Sequence, residues 1–387
     1  MHKDKFVFSQ LVSFLDRNKF NYIVRVYQGD KYVKHFTCWN QLLALMFGQL
    51  SNRDSLRDLV IALDAHRSKC YHLGMGRNVS KSSLARANQD RDYHIFEEYA
   101  YYLVSRAREK RSANIFGLDG NIYAFDSTTI DLCLSVFWWA KFRRRKGGIK
   151  VHTLYDVETQ IPAFFHITEA SVHDSKIMKE ILYEPGSYYI FDRAYNNFKM
   201  LYKIHQIGAY FVIRAKNNLQ YRTIKWKRRL PRNVISDLTI SLTGFYPKQY
   251  YPEVLRLVRY WDEKQDREFV FLTNATQISS LQVAKLYKNR WQVELFFKWL
   301  KQHLKIKKFW GTTENAVRIQ IYAAICTYCL VAIVQHDMKL GRSTYEVLQI
   351  LSISLTDKTN LRELFSKTKF QYDKERTDLN GPNLFNF

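Results

Sequence analysis

Near residue 115 the apolar periodicity of this 387-residue chain changes from that of helices to that of strands, and few folds accommodate both halves. Ahead of the change, "FSQLVSFLD", "CWNQLLALMFGQL", "SLRDLVIALDAH" and "YHIFEEYAYYLVSRAREKR" space their apolar residues as helices do, with Ser, Asp and Asn as punctuation. "NVSKSSLARANQ" (78–89) can begin the second helix of a helix-turn-helix or belong to an ordinary helical bundle, and the pattern does not separate the two. From about 118, "NIYAFDSTTIDLCL" reads as a strand, and "IKVHTLYD" with "IPAFFHIT" as a hairpin around "VETQ". "SVHDSKIMKEIL" follows as a helix with a cap-like Ser171-x-x-Asp174. Then come "SYYIFD" as a short buried strand, "NNFKMLYKIHQIG" as a helix ending at Gly208, and "AYFVIRAK" as another strand.

Three strands, helix, strand, helix, strand is an α/β order. Strand-like pieces over 217–282 interrupt it: "YRTIKWKRR", "DLTISLTG", "VLRLVRYW" and "EFVFLTN". A long helix in "YKNRWQVELFFKWLK" (287–301) and an apolar helix over 316–337 follow. The chain thus divides into 1–115, 116–340, with its boundary near Ala113, and a C-terminal helical segment and tail over 341–387 whose end reads as frayed.

Charge narrows the partner. Sixty Lys and Arg against thirty-six Asp and Glu leave +24, which favours a polyanion, because a basic surface gains affinity by releasing counterions from phosphates. A membrane-surface protein shares that balance, but the apolar run "IYAAICTYCLVAIV" (321–334) is short for a bilayer. "MHKDKFVFSQ" lacks the apolar core of a signal peptide, so the chain is expected to stay in the cytoplasm. The five cysteines do not make a disulfide framework. Cys326-x-x-Cys329 sits in an apolar helical run without a second pair, which favours core packing over zinc or redox chemistry.

Two acids end buried strands: Asp126 closes "IYAF" and Asp192 closes "YYIF". Open α/β sheets put their chemistry at such strand ends, although either Asp alone is as readily a turn former. Glu294 is the single acid among the cations of 287–301. At 100° per residue, Tyr287, Arg290, Glu294 and Lys301 share one narrow polar face. Leu286, Val293, Phe297, Leu300 and Leu304 form an apolar stripe roughly 70–90° away. Three carboxylates meeting at a sheet end suit a cage for two Mg²⁺ ions, which prefer hard oxygen ligands. Two such ions can activate an attacking oxygen and stabilise the leaving oxygen of a phosphodiester.

Tyr287-x2-Arg290-x3-Glu294-x6-Lys301 resembles the Tyr-Arg-Glu-Lys signature of bacterial insertion-sequence transposases with an Asp-Asp-Glu site. "FDST" around Asp126 is similar to that family's first-acid motif, and "DRAYNNF" from Asp192 to its second. The resemblance covers about 118–310 and implies a ribonuclease-H-like α/β catalytic core with a β-rich insertion (217–282) before the last acid, preceded by a helical N-terminal DNA-binding domain. It implies that Asp126 bridges two Mg²⁺ ions, with Mn²⁺ as a substitute, and that Asp192 and Glu294 complete the cage. Tyr287, Arg290 and Lys301, with Lys298 beside them, are then expected to hold phosphates of the element's end. The expected activity is cut-and-paste DNA transposition on terminal inverted repeats and target duplex, by a dimer on paired ends, in the bacterial cytoplasm at the nucleoid. Two rivals stay open: a non-catalytic DNA-binding relative and a structure-specific nuclease of the same fold.

Weaker candidates surround this set. "KFRRRKGG" offers Arg143, Arg144, Arg145 and Lys146 as a clamp on DNA backbone, or is a solvated hairpin tip. "YRTIKWKRRLPR" (221–232) invites the same pair of readings. Trp261 and Phe269 could stack on an unpaired base, with core packing the readier account. His152 reads as a strand hydrogen bond and His173-Asp174 as a helix cap. No G-x-x-x-x-G-K-[ST] loop occurs, so ATP is not implicated.

Overall fold

The computed structural model describes residues 5–111, 114–143, 146–303, 309–342 and 344–366. Six helices open the chain: α1 (Val7–Val12), α2 (Arg17–Val26), α3 (Cys38–Leu50), α4 (Leu56–Ala65), α5 (Lys81–Asp90) and α6 (His94–Lys110). Asp16, Thr37, Ser55 and Ser80 cap α2 to α5 by accepting a backbone N–H three residues on. Apolar periodicity does not reveal α2, whose polar "RNKFNYIVRV" buries only Phe20, Ile23 and Val24. The segment from Ala65 to Lys81 holds a 3-10 turn at Arg67–Lys69. It is too long for the three- or four-residue turn of a helix-turn-helix, and α5 packs within a bundle.

A single ten-stranded sheet follows. Its strands are β1 (Ile122–Leu132), β2 (Lys141–Arg143), β3 (Lys146–Asp156), β4 (Ile161–Glu169), β5 (Tyr188–Phe191) and β6 (Tyr210–Arg214), with α7 (Phe198–Gln206) crossing between β5 and β6. β4 and β1 flank β3 in antiparallel pairs, while β1, β5 and β6 run parallel. The order β4-β3-β1-β5-β6 is the ribonuclease-H-like arrangement, with the helices above as an N-terminal extension. Four further strands, β7 (Tyr221–Trp226), β8 (Val234–Leu242), β9 (Leu255–Asp262) and β10 (Arg267–Thr273), enclose a short helix α8 (Phe245–Tyr250). β10 returns to pair with β6, so the insertion widens the core sheet outward through β9 and β8 to β7.

Alternation assigns the two faces. Ile122, Ala124, Ile190 and Val212 face the helical layer, while Tyr123, Phe125, Tyr189, Phe191 and Phe211 pack with Leu201 and Ile204 of α7. Both faces are covered, so the paired stretches of β1 and β5, "IYAF" and "YYIF", read as unbroken apolar runs. At the start of β1, Gly120 adopts φ 90°, and a Cβ there would lie 2.3 Å from the Gly186 carbonyl oxygen. This close approach seats β1 beside β5.

Residues 174–179 form a 3-10 turn rather than the helix expected from "SVHDSKIMKEIL", and its cap is His173, which accepts from the Ser175 N–H, not Ser171.

The last helices are α9 (Ser280–Asn289), α10 (Trp291–His303), α11 (Glu314–Asp337), α12 (Thr344–Ser354) and α13 (Leu361–Leu364). By length and composition α11 could cross a membrane, so the sequence reading of its apolar run as too short understates it. In the fold, 94% of that apolar stretch is buried among the N-terminal helices. The Gln49 side chain donates to the Gln320 carbonyl at 3.2 Å and accepts from Thr327 at 2.9 Å. Cys326 and Cys329 lie inside this helix, where burial pushes both thiols up. The C-terminal segment joins the same layer: the Val7 and Phe8 N–H groups donate to the Asp357 and Leu355 carbonyls at 2.8 and 3.0 Å. One apolar core runs from Phe6 to Phe365. The expected boundary at Ala113 and the tail beyond 366 lie outside the described residues.

Candidate active site

Asp192 follows the end of β5 as expected, but Asp126 does not end its strand: β1 runs on to Leu132 in its pairing with β3, and Asp126 lies where the pairing of β1 with β5 stops. Pairing of Phe125 with Phe191 in the parallel β1–β5 register sets the two acids side by side, one residue later. Glu294 arrives on α10, which packs over β1 through Val293, Phe297 and Leu300. Leu286 is buried as the stripe predicts, Phe296 joins the buried set, and Leu304 lies outside the described residues.

The helix carrying Glu294 is not the uniform one its sequence predicts. α9 ends and α10 begins at Arg290, where the Arg290 N–H bonds the Tyr287 carbonyl and the Val293 N–H bonds the Arg290 carbonyl, both at 3.1 Å. Three-residue turns of this kind advance faster than 100° per residue. The polar face therefore divides. Tyr287 is only 8% exposed, packed on Phe271 with ring centroids 4.8 Å apart, and its hydroxyl donates to Asp192 at 2.9 Å. Arg290 reaches the other way, donating to Asp126 at 2.5 Å and to Glu294 at 2.7 Å. Farther along α10, Lys301 donates to the Thr129 carbonyl of β1 at 2.9 Å.

Burial pushes the Asp126 carboxyl up to about 6, against the pull of Arg290 and with the help of Glu294 and Asp192. Burial works against the Arg290 charge too, but Asp126, Tyr287 and Glu294 outweigh it and hold the guanidinium above its ordinary range. Burial, then the neighbouring Asp192, raises the Tyr287 phenol to about 12. The cluster is charged, crowded and incompletely paired: Arg290 Nε is buried without a hydrogen-bond partner.

Two clefts open on either side of it. One, of about 420 Å³, is lined by Asp126, Ser127, Thr128, Glu294, Phe297, Lys298 and Lys301. The other, of about 490 Å³, includes Asp192, Arg214, Arg267, Phe269, Tyr287, Lys288, Arg290 and Glu294. Phe269 is buried between the guanidinium groups of Arg214 and Arg267, 5.2 and 4.3 Å from its centroid, so its ring is packed as core rather than offered to a base. Trp261 is 39% exposed. Arg143 and Lys146 stand at the facing ends of β2 and β3; Arg144 and Arg145 fall outside the described residues.

The all-oxygen donor set suits Mg²⁺ in chemistry. Its spacing does not: among the described residues no three His, Cys, Asp or Glu side chains are placed to hold a metal ion. The acids instead serve Arg290 and Tyr287.

Behind Asp126 lies a layer that motif and spacing do not assign to the site. The Ser127 N–H donates to Asp126 at 2.8 Å, and the Ser127 hydroxyl donates to Asp174 at 2.9 Å. Lys150 holds Asp174 at 3.1 Å, and His152 Nδ1 lies 3.7 Å from it. His152 Nε2 is 3.0 Å from the Thr168 hydroxyl, the strand hydrogen bond expected, and burial pulls the imidazole down to about 4. The available signal was the alternation of Lys150 and His152 along β3 opposite Thr129 and Ser127.

A separate buried cluster around Asp237 fixes the approach of α9. Asp237 of β8 accepts from Arg256 of β9 at 2.8 and 2.7 Å and from Ser280 at 2.6 Å. Arg256 also donates to the Ala275 and Ile278 carbonyls at 3.2 and 2.6 Å, just before α9. Ser279 and Gln282 close a capping box there.

A mixed sheet of this order, with one acid within β1, a second just after β5 and a third on α10, is a ribonuclease-H-like arrangement. The chain belongs to the Transposase DDE domain family, which it matches over residues 117–330, while residues 3–76 match a domain of unknown function, DUF4372. It is 36% identical over 70% of its length to a Sinorhizobium fredii protein named as a transposase, y4zB, covering 75% of that protein. It is 27% identical over 64% of its length to a Geobacillus stearothermophilus protein named for the transposase of insertion sequence element IS5377, covering 66% of it. A Synechocystis protein named for the transposase of insertion sequence element IS4SA is 24% identical over 75% of this chain and 83% of its own.

Proposed function

We propose that this chain is the transposase of an insertion sequence: it binds the element's terminal inverted repeats and carries out metal-dependent cleavage and strand transfer on duplex DNA, at the nucleoid in the cytoplasm. The observation that carries the reading is the convergence of Asp126 and Glu294 on Arg290, which lies 164 residues from Asp126 in the chain, beside Asp192 where the pairing of β1 with β5 stops. Asp126, Asp192 and Glu294 would hold two Mg²⁺ ions, or Mn²⁺ in their place, which would activate the attacking oxygen and stabilise the leaving one. In the geometry described those oxygens serve Arg290 and Tyr287, so the reading requires these contacts to open when DNA and metal bind. Phosphate oxygens are suitable new acceptors, since Arg pairs with phosphate in the same bidentate way as with carboxylate. Lys298 and Lys301 lie along the smaller cleft, where they can hold further phosphates. Two subunits acting on paired ends complete the proposal.

The test is an end-bearing duplex incubated with the full chain in Mg²⁺ or Mn²⁺. Cleavage at the repeat terminus followed by joining to target supports the reading. Cleavage without joining would make the protein a nuclease, and tight binding without either would make it a non-catalytic DNA-binding relative.

A further inference from the structure

The far edge of the sheet carries a charge pattern that the acid cluster does not use. β7 is the outermost strand and pairs only with β8. Every residue from Tyr221 to Arg229 is exposed. Over this stretch lie Arg222, Lys225, Lys227, Arg228 and Arg229, with Trp226 67% exposed among them. Lys227 is held by Asp237 at 3.0 Å, but Arg222, Lys225, Arg228 and Arg229 form no salt bridge with any described acid. Long exposed edges are hazardous, and lysines on them discourage pairing with a second copy. Antiparallel pairing of β7 with itself would set this cationic row against its own image, where like charges repel. The edge is built for a polyanion.

A path leads to it from the acids. A cleft of about 410 Å³ is lined by Arg193, Arg214, Lys216, Tyr221, Arg259 and Glu268, among others. Arg193 adjoins Asp192, Arg214 also lines the cleft containing Asp192, and Tyr221 opens β7. Glu268, the acid of this group, is neutralised by Arg259, with one bond at 2.9 Å. Cations thus run from the acid cluster across the widened sheet to its edge. From β5 to β7 the sheet order gives five strand steps, roughly 24 Å at about 4.8 Å per step. That is the length of about seven base pairs at 3.4 Å each.

We infer that the β7 edge is a second duplex-DNA contact, gripping the backbone about seven base pairs from the phosphate at the acid cluster. This rests on the transposase reading for the position of that phosphate. The insertion then acts as a ruler: it extends the sheet so that one surface holds the duplex and the other end holds the reacting bond.

The experiment compares the full-length wild type with the combined variant Arg222→Gln, Lys225→Gln, Arg228→Gln and Arg229→Gln on an end-bearing duplex. We expect the slope of log affinity against log salt to become shallower by about 2–4, at about 0.9 for each phosphate no longer neutralised. Hydroxyl-radical protection should disappear about six to eight base pairs from the cleavage position and persist at it. As a measurement independent of that variant's folding, Lys225→Cys carrying a photo-crosslinker should mark nucleotides in the same interval. Unchanged slope and protection, or crosslinks at the cleavage position or nowhere, would overturn the inference while leaving wild-type cleavage intact. A wild type that neither binds nor cleaves end DNA would overturn the transposase reading with it. A variant that alters self-association but not the salt slope would assign the edge to a second copy and equally overturn the DNA contact.

Discussion

Two arginines in this molecule each meet acids, and they do opposite work. Arg256 is 5% exposed in its side chain and Asp237 2%; the pair is closed by Ser280 and two backbone carbonyls. Its donors are used, and although burial opposes it, Arg256, Ser280 and Lys227 hold the Asp237 carboxyl down at about 2. Arg290 lines the larger cleft, leaves its buried Nε unpartnered, and sits between Glu294, which lines both clefts, and an Asp126 raised to about 6. A satisfied network fixes one geometry, whereas a half-satisfied one is costly and open to rearrangement. Arg256 holds the insertion against the start of α9; Arg290 stands where ligands would exchange.

Acid substitutions should separate the two most widely. Glu294→Gln or Asp126→Asn should reduce end cleavage by about a thousandfold or more, the equivalent of roughly 4 kcal/mol of transition-state stabilisation. End binding in a gel shift should be retained or tighter, with the melting temperature near wild type for Glu294→Gln and at or above it for Asp126→Asn, which removes a buried charge. Retained cleavage would place the reacting acids elsewhere.

Asp237→Ala should give the converse, a loss of about 3–5 kcal/mol in denaturant unfolding, because it strands a buried guanidinium. If stability is unchanged, the network does not anchor α9.

The two acids should also drive stability in opposite directions with pH, measured by unfolding in metal-free buffer. Asp237 has a depressed folded pKa, so its contribution, about 2–3 kcal/mol, is present above pH 4 and lost as the pH falls toward 2. Asp126 has a raised one, so its contribution is full below about pH 4 and lost as the pH rises through 6. Asp237→Asn should flatten the acid limb, and Asp126→Asn the limb between pH 4 and 6.

Asp174→Asn is the smallest of these effects. It weakens the Ser127 contact that steadies Asp126, and about tenfold slower cleavage is expected, as for other outer-shell partners. Asp174→Glu should recover part of the rate. Equal rates for all three proteins would make Asp174 a purely structural partner of Lys150.

Only one side of this contrast was visible in the sequence. Asp126 and Asp192 show themselves because apolar runs buried on both faces stop at them, and Glu294 because it is alone among cations. The β3–β4 hairpin was equally legible from alternation about "VETQ". The division of the helix at Arg290 was not, since a helical wheel assumes the uniform turn that a three-residue step breaks. Nor was the Asp237–Arg256 pair: the two lie on neighbouring strands 19 residues apart, and it is the Ala275 and Ile278 carbonyls and Ser280, at the start of α9, that close around them. Pairing partners across tens of residues leave no periodic trace, so the insertion read as strands without showing that it widens the core sheet. The short 174–179 turn carries a capping pattern, and that pattern does not distinguish a 3-10 turn from an α-helix.

The helix threaded through the N-terminal bundle has a consequence in time. α6 ends at Lys110 and α11 begins at Glu314, so about 200 residues separate the bundle from the helix at its centre. At about 5–20 residues per second, a ribosome needs roughly 10–40 s to make the intervening chain. During that interval the apolar faces of α3 and α6 that later enclose α11 have no native partner. The sheet, by contrast, can assemble as its strands emerge. Production of this protein should therefore depend on what shields the waiting helices, and a stop codon before residue 314 should yield aggregate rather than a smaller folded protein.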